Sequence, residues 1–336
     1  MDTFTHIALG ACIGELFTDK AFGKKAMLWG ALAQSLPDID FVAGLWMRPT
    51  EELLAHRSFT HSFLFVGLMT FFLGVAAERF HRPHNISLQK WMWFLGTEMM
   101  VHLFIDGFNN YGVGWLEPFS DHRFSFQVLF VADPFFSLPT GAVFLWLLLR
   151  PSSHLRRVRV ASAGILITVL YLGYASFSKI HVVRDVERLA KKQEIRYDRL
   201  LTTPSPFNPW LHFVVMKRDS VFQVGYHSVF DKDDSLVVHP FPQQERLLGE
   251  IRDHVEVQEL KKFSQGLYTI EVKQDTLIFN DLRFGQEIGW YDPSQPFAFH
   301  YYLSHPEDNN LVVQRGRFAQ WSDTTIRHFF LRIAGY

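Results

Sequence analysis

Apolar runs fill the first 180 residues, yet this stretch also carries Leu36-Pro37-Asp38-Ile39-Asp40, His56-Arg57-Ser58-Phe59-Thr60-His61-Ser62 and His102-Leu103-Phe104-Ile105-Asp106. Taking an uncompensated carboxylate or imidazole out of water costs several kcal/mol. A chain that does so repeatedly needs something to compensate the group, and a metal ion is the simplest candidate. The requirement constrains the fold, because residues far apart in sequence must share one pocket.

Two stretches have the length of a membrane span, Phe126 to Leu149 and Val160 to Ser178, each near the roughly 20 apolar residues that cross a bilayer core. Phe63 to Ala77 and Trp91 to Phe108 are shorter or carry charges, and Thr5 to Phe17 and Ala26 to Leu36 suit buried or partly inserted helices. No cleavable signal peptide is expected, since the start carries Asp2, and His6 and Glu15 interrupt its apolar run. Basic loops tend to stay cytoplasmic. Three occur here, Lys20 to Lys25, Arg79 to Lys90 and Arg150 to Arg159, and the polar motifs fall at the opposite helix ends. The expectation is a multi-pass protein of the inner (plasma) membrane, with its site and C-terminal domain facing the periplasm.

His102 and Asp106 stand four apart, which places both on one face of an α-helix. Glu98 extends that stripe by one turn, as a further ligand or as the carboxylate that orients His102. Asp38 and Asp40 follow Pro37, which ends a helix and lets two carboxylates converge. His56 and His61 share a pocket only if His56 precedes the helix, with Ser58 as the N-cap. Arg57 suits a phosphate or carboxylate fork, or pairing with Asp38 or Asp40, and the pairing is favoured. His6, at a helix start, and Asp133, which precedes Pro134 at the end of an apolar run where a charge needs a partner, are further candidate metal ligands. Asp121 and His122 read as caps or surface residues.

Imidazoles and carboxylates without thiolates favour Zn2+, with Mn2+ or Fe2+ as alternatives. The single cysteine, Cys12, excludes an intramolecular disulfide, and its small-residue surroundings favour a buried apolar role. A net charge of −1 gives no reason to expect nucleic acid. A metal can activate water for hydrolysis, with Asp38, Asp40, Arg57 and Glu98 as the residues closest to the chemistry. The competing reading is a non-enzymatic membrane metal-binding or transport protein using the same cluster. In a third reading these residues are structural caps and the C-terminal sheet is the functional module.

From Lys179 to Leu201 the chain becomes charged, as a solvated helix continuing out of the last span would be. Prolines at 204, 206 and 209 then break the pattern. Trp210 to Lys217, Val221 to Val229, Tyr268 to Val272, Thr276 to Phe279 and Phe297 to Leu303 read as strands. His227, His239, His300 and His305 show no metal spacing. The fold class expected is α+β: a helical membrane-embedded bundle over 1–180, a charged connector over 181–206 and a mainly antiparallel β domain over 207–336.

Through Thr5-His6, Leu36 to Asp40, His56 to Ser62 and His102 to Asp106, the first 180 residues resemble the YdjM-like family of membrane-bound, metal-dependent hydrolases. That family is in turn similar to zinc-dependent phospholipase C and the S1/P1 nucleases, helical enzymes that cleave phosphodiesters. The resemblance implies metal-binding roles for His6, Asp38, His56, His61, His102 and Asp106, with Asp40 as an additional candidate. Ser58 stands where the family often has glycine. No second His-x-x-x-Glu motif of the phospholipase C type is present, which points to one or two ions. The activity implied is phosphoester hydrolysis, with membrane lipids as surroundings and a phospholipid as one candidate substrate.

Overall fold

The computed structural model describes all residues except 18–21, 82–85, 152, 154, 274, 304–317 and 319. Lys20, part of the Arg79 to Lys90 loop and His305 therefore fall outside the described residues. The chain forms two compact units: Met1–Trp46 with Ala55–Tyr174, and Met47–Leu54 with Ala175–Tyr336.

The first unit is helical: α1 (Thr3–Phe17), α2 (Lys24–Ser35), a 3-10 segment Pro37–Leu45, a 3-10 turn Phe59–His61, α4 (Phe63–Phe80), α5 (Leu88–Asp106) and α6 (Pro134–Leu149). Between the 3-10 elements lies α3 (Pro49–Ala55), and α7 (Arg157–Lys192) starts in the first unit and ends in the second. Local chemistry sets the boundaries. Pro37 opens the 3-10 segment directly after α2. The hydroxyls of Ser62 and Ser87 cap α4 and α5 by accepting from Phe65 N and Lys90 N. The α1–α2 crossing is close because two glycines meet there: a Cβ on Gly30 would lie 2.1 Å from the Gly10 carbonyl oxygen.

This unit is apolar on the outside and ionisable on the inside. Phe72, Leu138 and Leu170 are more than 60% exposed, whereas His6, Glu98, His102 and Asp106 are fully buried. That distribution suits an apolar solvent. Among the described residues, α4 and α7 are long and apolar enough to cross a membrane. The expected span from Phe126 to Leu149 is shorter than its composition suggested. Asp133 caps α6 and Pro134 begins it, leaving 16 helical residues. Arg157, counted above as a loop cation, is buried and pairs with Glu15 at 2.5 Å. Each resolves the other's desolvation cost.

The second unit holds two antiparallel sheets. The first has the order β1 (Arg199–Pro204), β2 (Leu211–Arg218), β3 (Val221–Ser228), β4 (Val238–Pro242). The other has the order β5 (Tyr268–Lys273), β6 (Thr276–Gln286), β7 (Phe297–Tyr302), and helices α8 (Val255–Phe263) and α9 (Asp323–Ile333) complete the unit. The α+β class is as expected. Strand β1 forms within the stretch read as charged connector and linker, and β4, α8 and α9 were not anticipated. The period-2 alternation in β2 builds the layers: Phe213 and Val215 pack toward Leu282 and Phe297 of the other sheet, while Val214 and Met216 pack on Val182, Val186 and Leu189 of α7. On the outer side of the second sheet, α8 packs Val257 and Leu260 against Ile270, Phe279 and Leu53.

Two outcomes follow. Gly30→Ala should destabilise the bundle by about 1–3 kcal/mol through overpacking, read as a lowered unfolding midpoint in detergent. Buried His212 of β2 has its pKa pushed down to about 3, first by desolvation and then by Lys179. Below its ordinary value of 6.5 the unfolded chain binds a proton there that the folded chain refuses. Stability should therefore fall on acidification from about pH 6.5 toward 3, by up to about 1.4 kcal/mol per pH unit from this group. The pH dependence of unfolding in His212→Gln should be correspondingly shallower.

Candidate metal centre

Helix α5 places His102 and Asp106 side by side, the 3-10 segment after Pro37 brings in Asp38, and the 3-10 turn before α4 brings in His61. One ligand atom from each of these four residues lies within 4.8 Å of all the others. His61 Nε2 and His102 Nε2 are 3.0 Å apart. Asp38 Oδ1 is 3.5 Å from both nitrogens, and Asp106 Oδ2 is 3.5 Å from His61 Nε2 and 3.7 Å from His102 Nε2. A tetrahedral zinc centre with bonds of about 2.0–2.1 Å would separate its donors by about 3.3 Å.

Outer partners determine what those inner atoms are. The Nδ1 of His102 lies 2.5 Å from the main-chain oxygen of Gln34, which can only accept, so Nδ1 carries the hydrogen and Nε2 presents a lone pair. His61 Nδ1 lies 3.0 Å from the Thr60 hydroxyl and 3.4 Å from Asp40 Oδ2, and with its hydrogen on Nδ1 the Nε2 also presents a lone pair. Two imidazole lone pairs and two carboxylate oxygens thus face one another. Without a cation this arrangement draws in a proton: desolvation would lower the pKa of His61, but the carboxylates of Asp106 and Asp38 outweigh it and raise it. Desolvation likewise opposes ionisation of Asp38, and the hydrogen bond from His61 with the neighbouring imidazoles holds its carboxyl below the usual range. The donor set fits a borderline divalent ion.

The other predicted residues surround this core in distinct ways. His6 stacks on His102 with ring centroids 3.9 Å apart, and its Nε2 lies 3.2 Å from Asp106 Oδ1, which the Met1 amino group also contacts. Asp40 is a hub, accepting from Arg57 N at 2.7 Å and lying 3.2 Å from His56 Nδ1. His56 is half-exposed and touches the cluster through Asp40, with its ring 6.3 Å from that of His61. Arg57 pairs through its side chain with Asp106, Nε to Oδ2 at 2.9 Å, and offers Asp40 only its main-chain N–H. That corrects the expected side-chain pairing with Asp38 or Asp40. Arg57 has a φ of 59°, a conformation held by the Asp40 bond and by Gly114 N donating to its carbonyl at 2.9 Å.

Glu98 does not orient His102, because the Gln34 carbonyl occupies that nitrogen. It is buried, and neither carboxylate oxygen has a hydrogen-bond partner among the described residues. Asp133 spends its carboxylate on Phe135 N, Phe136 N and the Tyr171 hydroxyl and is not among the four. Ser58 is not a side-chain cap: its hydroxyl donates to Glu117, and Ser62 caps α4 instead. The Gln34 carbonyl went unnoticed in the sequence, since a main-chain acceptor leaves no residue signal. Tyr111, whose ring lies 5.0 Å from the Arg57 guanidinium, was also missed.

A helical bundle with apolar outer faces and a buried His/Asp cluster that could hold a metal ion defines a membrane protein of the helical-bundle class. The chain belongs to the YdjM inner membrane protein family, whose model matches residues 1–182. It is 34% identical to the inner membrane protein YbcI of Escherichia coli K12 over 135 residues, 38% of this chain and 75% of YbcI. It is 26% identical to the uncharacterized protein YfhP of Bacillus subtilis 168 over 211 residues, 60% of this chain. That match spans 59% of the length of YfhP. No solved structure matches the chain.

His102→Ala and Asp106→Ala should each strip bound zinc from the bundle cluster, measured as metal content of purified protein. Asp40→Asn should leave the ligands in place and weaken zinc affinity by about 10–100-fold, because it loosens the outer partner of His61.

Proposed function

We propose that this chain is an integral inner-membrane, metal-dependent hydrolase acting on a phosphoester. The observation that carries the reading is the convergence of four lone-pair donors from Asp38, His61, His102 and Asp106 within one ion-sized space. An ion held there supplies Lewis acidity to a phosphoryl oxygen and acidifies a water molecule. Zn2+ fits the donors best, as one ion, with Mn2+ or Fe2+ as alternatives.

The protein's own residues supply the rest. Arg57 is buried, and its Nη1 has no hydrogen-bond partner among the described residues, which makes the guanidinium a fork for a phosphate oxygen. Tyr111 supports the same guanidinium from one face. The Gln34 carbonyl keeps His102 in the ligating tautomer, and Thr60 with Asp40 lines the outer nitrogen of His61. Asp38 is 19% exposed and His56 is half-exposed, which favours a mouth accessible to substrate over a sealed permeation site. Glu98 stays close to the chemistry in sequence as the carboxylate one turn from His102. The basic loops favour a multi-pass topology with this mouth on the periplasmic side, and a phospholipid headgroup is the phosphoester that such a position would meet.

Purified protein in lipid nanodiscs should release phosphate or a phosphorylated headgroup from phospholipid or a generic phosphodiester. Chelation should abolish this and zinc restore it. Arg57→Gln should lower kcat by about 10²–10³-fold with metal content retained. Hydrolysis that persists unchanged in His102→Ala would overturn the assignment.

A further inference from the structure

We propose that the rim of the bundle cluster is seated in the boundary layer of the bilayer, so that the site takes a membrane-resident amphiphile carrying a phosphoester rather than a water-soluble one. The substrate class rests on the hydrolase reading, whereas the seating of the rim does not.

The carboxylates that reach the cluster from the 3-10 segment Pro37–Leu45 stand among exposed apolar side chains. Asp38 and Asp40 turn inward, whereas Ile39 between them is half-exposed and Phe41, Leu45 and Trp46 are each more than two-thirds exposed. Phe59, in the turn that carries His61, is half-exposed, and Phe119 is more than two-thirds exposed. Hydrogen bonds tie these segments to the turn. Asp40 accepts from Arg57 N at 2.7 Å and from the Thr60 hydroxyl at 3.3 Å, Phe63 N donates to the Trp115 carbonyl at 3.0 Å, and the Ser58 hydroxyl donates to Glu117. Large apolar side chains grouped on an outer surface mark a contact face.

Chain continuity identifies what covers that face. His61 stands two residues before Phe63, where α4 begins. At 1.5 Å per residue α4 is about 27 Å long, close to the roughly 30 Å hydrocarbon core it has the composition to cross. Phe63 then lies at one edge of that core, and the turn with His61 lies just outside it. The exposed groups set the same depth from the other direction. Asp38 and half-exposed His56 require water or lipid headgroups, whereas Phe41, Leu45, Trp46 and Phe119 are favoured among acyl chains. The boundary layer offers both, and aromatic side chains, tryptophan above all, concentrate there. An amphiphile in that leaflet brings its phosphate to the mouth with its tails still beside the rim, while a soluble phosphoester gains nothing from these side chains.

The test is label depth by electron paramagnetic resonance, with the full-length protein in lipid nanodiscs. The single cysteine is removed by Cys12→Ala, and one nitroxide at a time is attached at Phe41→Cys, Leu45→Cys or Phe119→Cys. Phe72→Cys, midway along α4, is the lipid reference, and Asp234→Cys, 71% exposed in the second unit, is the aqueous one. Rim labels should collide with oxygen more than with a water-soluble nickel chelate, at a depth between the headgroups and Phe72→Cys. Labels as open to nickel as Asp234→Cys, or shielded from both reagents by a second copy or another protein, would overturn the seating. The substrate class is read separately. Phe41→Asn with Trp46→Gln should raise KM for a phosphoester lipid in the nanodisc by about 10-fold or more, with kcat/KM for a short-chain soluble phosphodiester unchanged. Equal losses on both substrates would overturn the substrate class. Absence of turnover on either substrate would overturn the hydrolase reading and the substrate class with it, while the labels alone decide the seating.

Discussion

Four lone pairs pointing at one another is the arrangement on which the helical unit depends. Nothing about two imidazole nitrogens 3.0 Å apart is favourable unless a cation or a proton lies between them and their flanking carboxylates. The protein has nonetheless built it from outside inward. A main-chain carbonyl on α2 fixes the His102 tautomer, Thr60 and Asp40 flank the outer nitrogen of His61, and the close crossing of α1 and α2 at Gly10 and Gly30 packs the helices that surround them. Residues that looked equivalent in sequence have different work here. His61 and His102 face the shared space, His6 braces Asp106, and His56 reaches it through Asp40.

The same cluster explains why the bundle can be apolar outside. In lipid, exposed Phe and Leu cost nothing, and the expensive groups are those left inside without partners. Collecting Asp38, Asp106, Arg57 and three imidazoles in one network spreads that cost over mutual attraction. Glu15 and Arg157 follow the same logic away from the site. Asp133 is satisfied by its helix cap and the Tyr171 hydroxyl, and Glu98, one turn from the centre, has no hydrogen-bond partner among the described residues.

Much of this was legible from residue order alone. The His102 and Asp106 pairing follows from helical periodicity, and five strands appear as period-2 runs, four of them with ends within one residue, while β6 continues seven residues past the expected Phe279 to Gln286. What was not legible has a consistent cause. Strand β1 lies in a segment whose charge pattern suggested a solvated connector, and it is a strand because β2 supplies the hydrogen-bonding edge. The Phe126 to Leu149 run looked like one span because composition ignores the cap that Asp133 imposes. Arg57 takes a left-handed backbone conformation and pairs with Asp106, a partner 49 positions on that no local spacing points to.

Sequence by itself determined the α+β division, the helix and strand faces and the chemical type of the site, because periodicity and residue chemistry are local properties. It named the ligand candidates without ranking them. Tertiary structure decided which four converge, which nitrogen of each imidazole turns inward, and which carboxylates lie among the four and which stands behind His61. Those outcomes depend on contacts between distant segments, and on main-chain acceptors such as the Gln34 carbonyl that every residue possesses and no motif records.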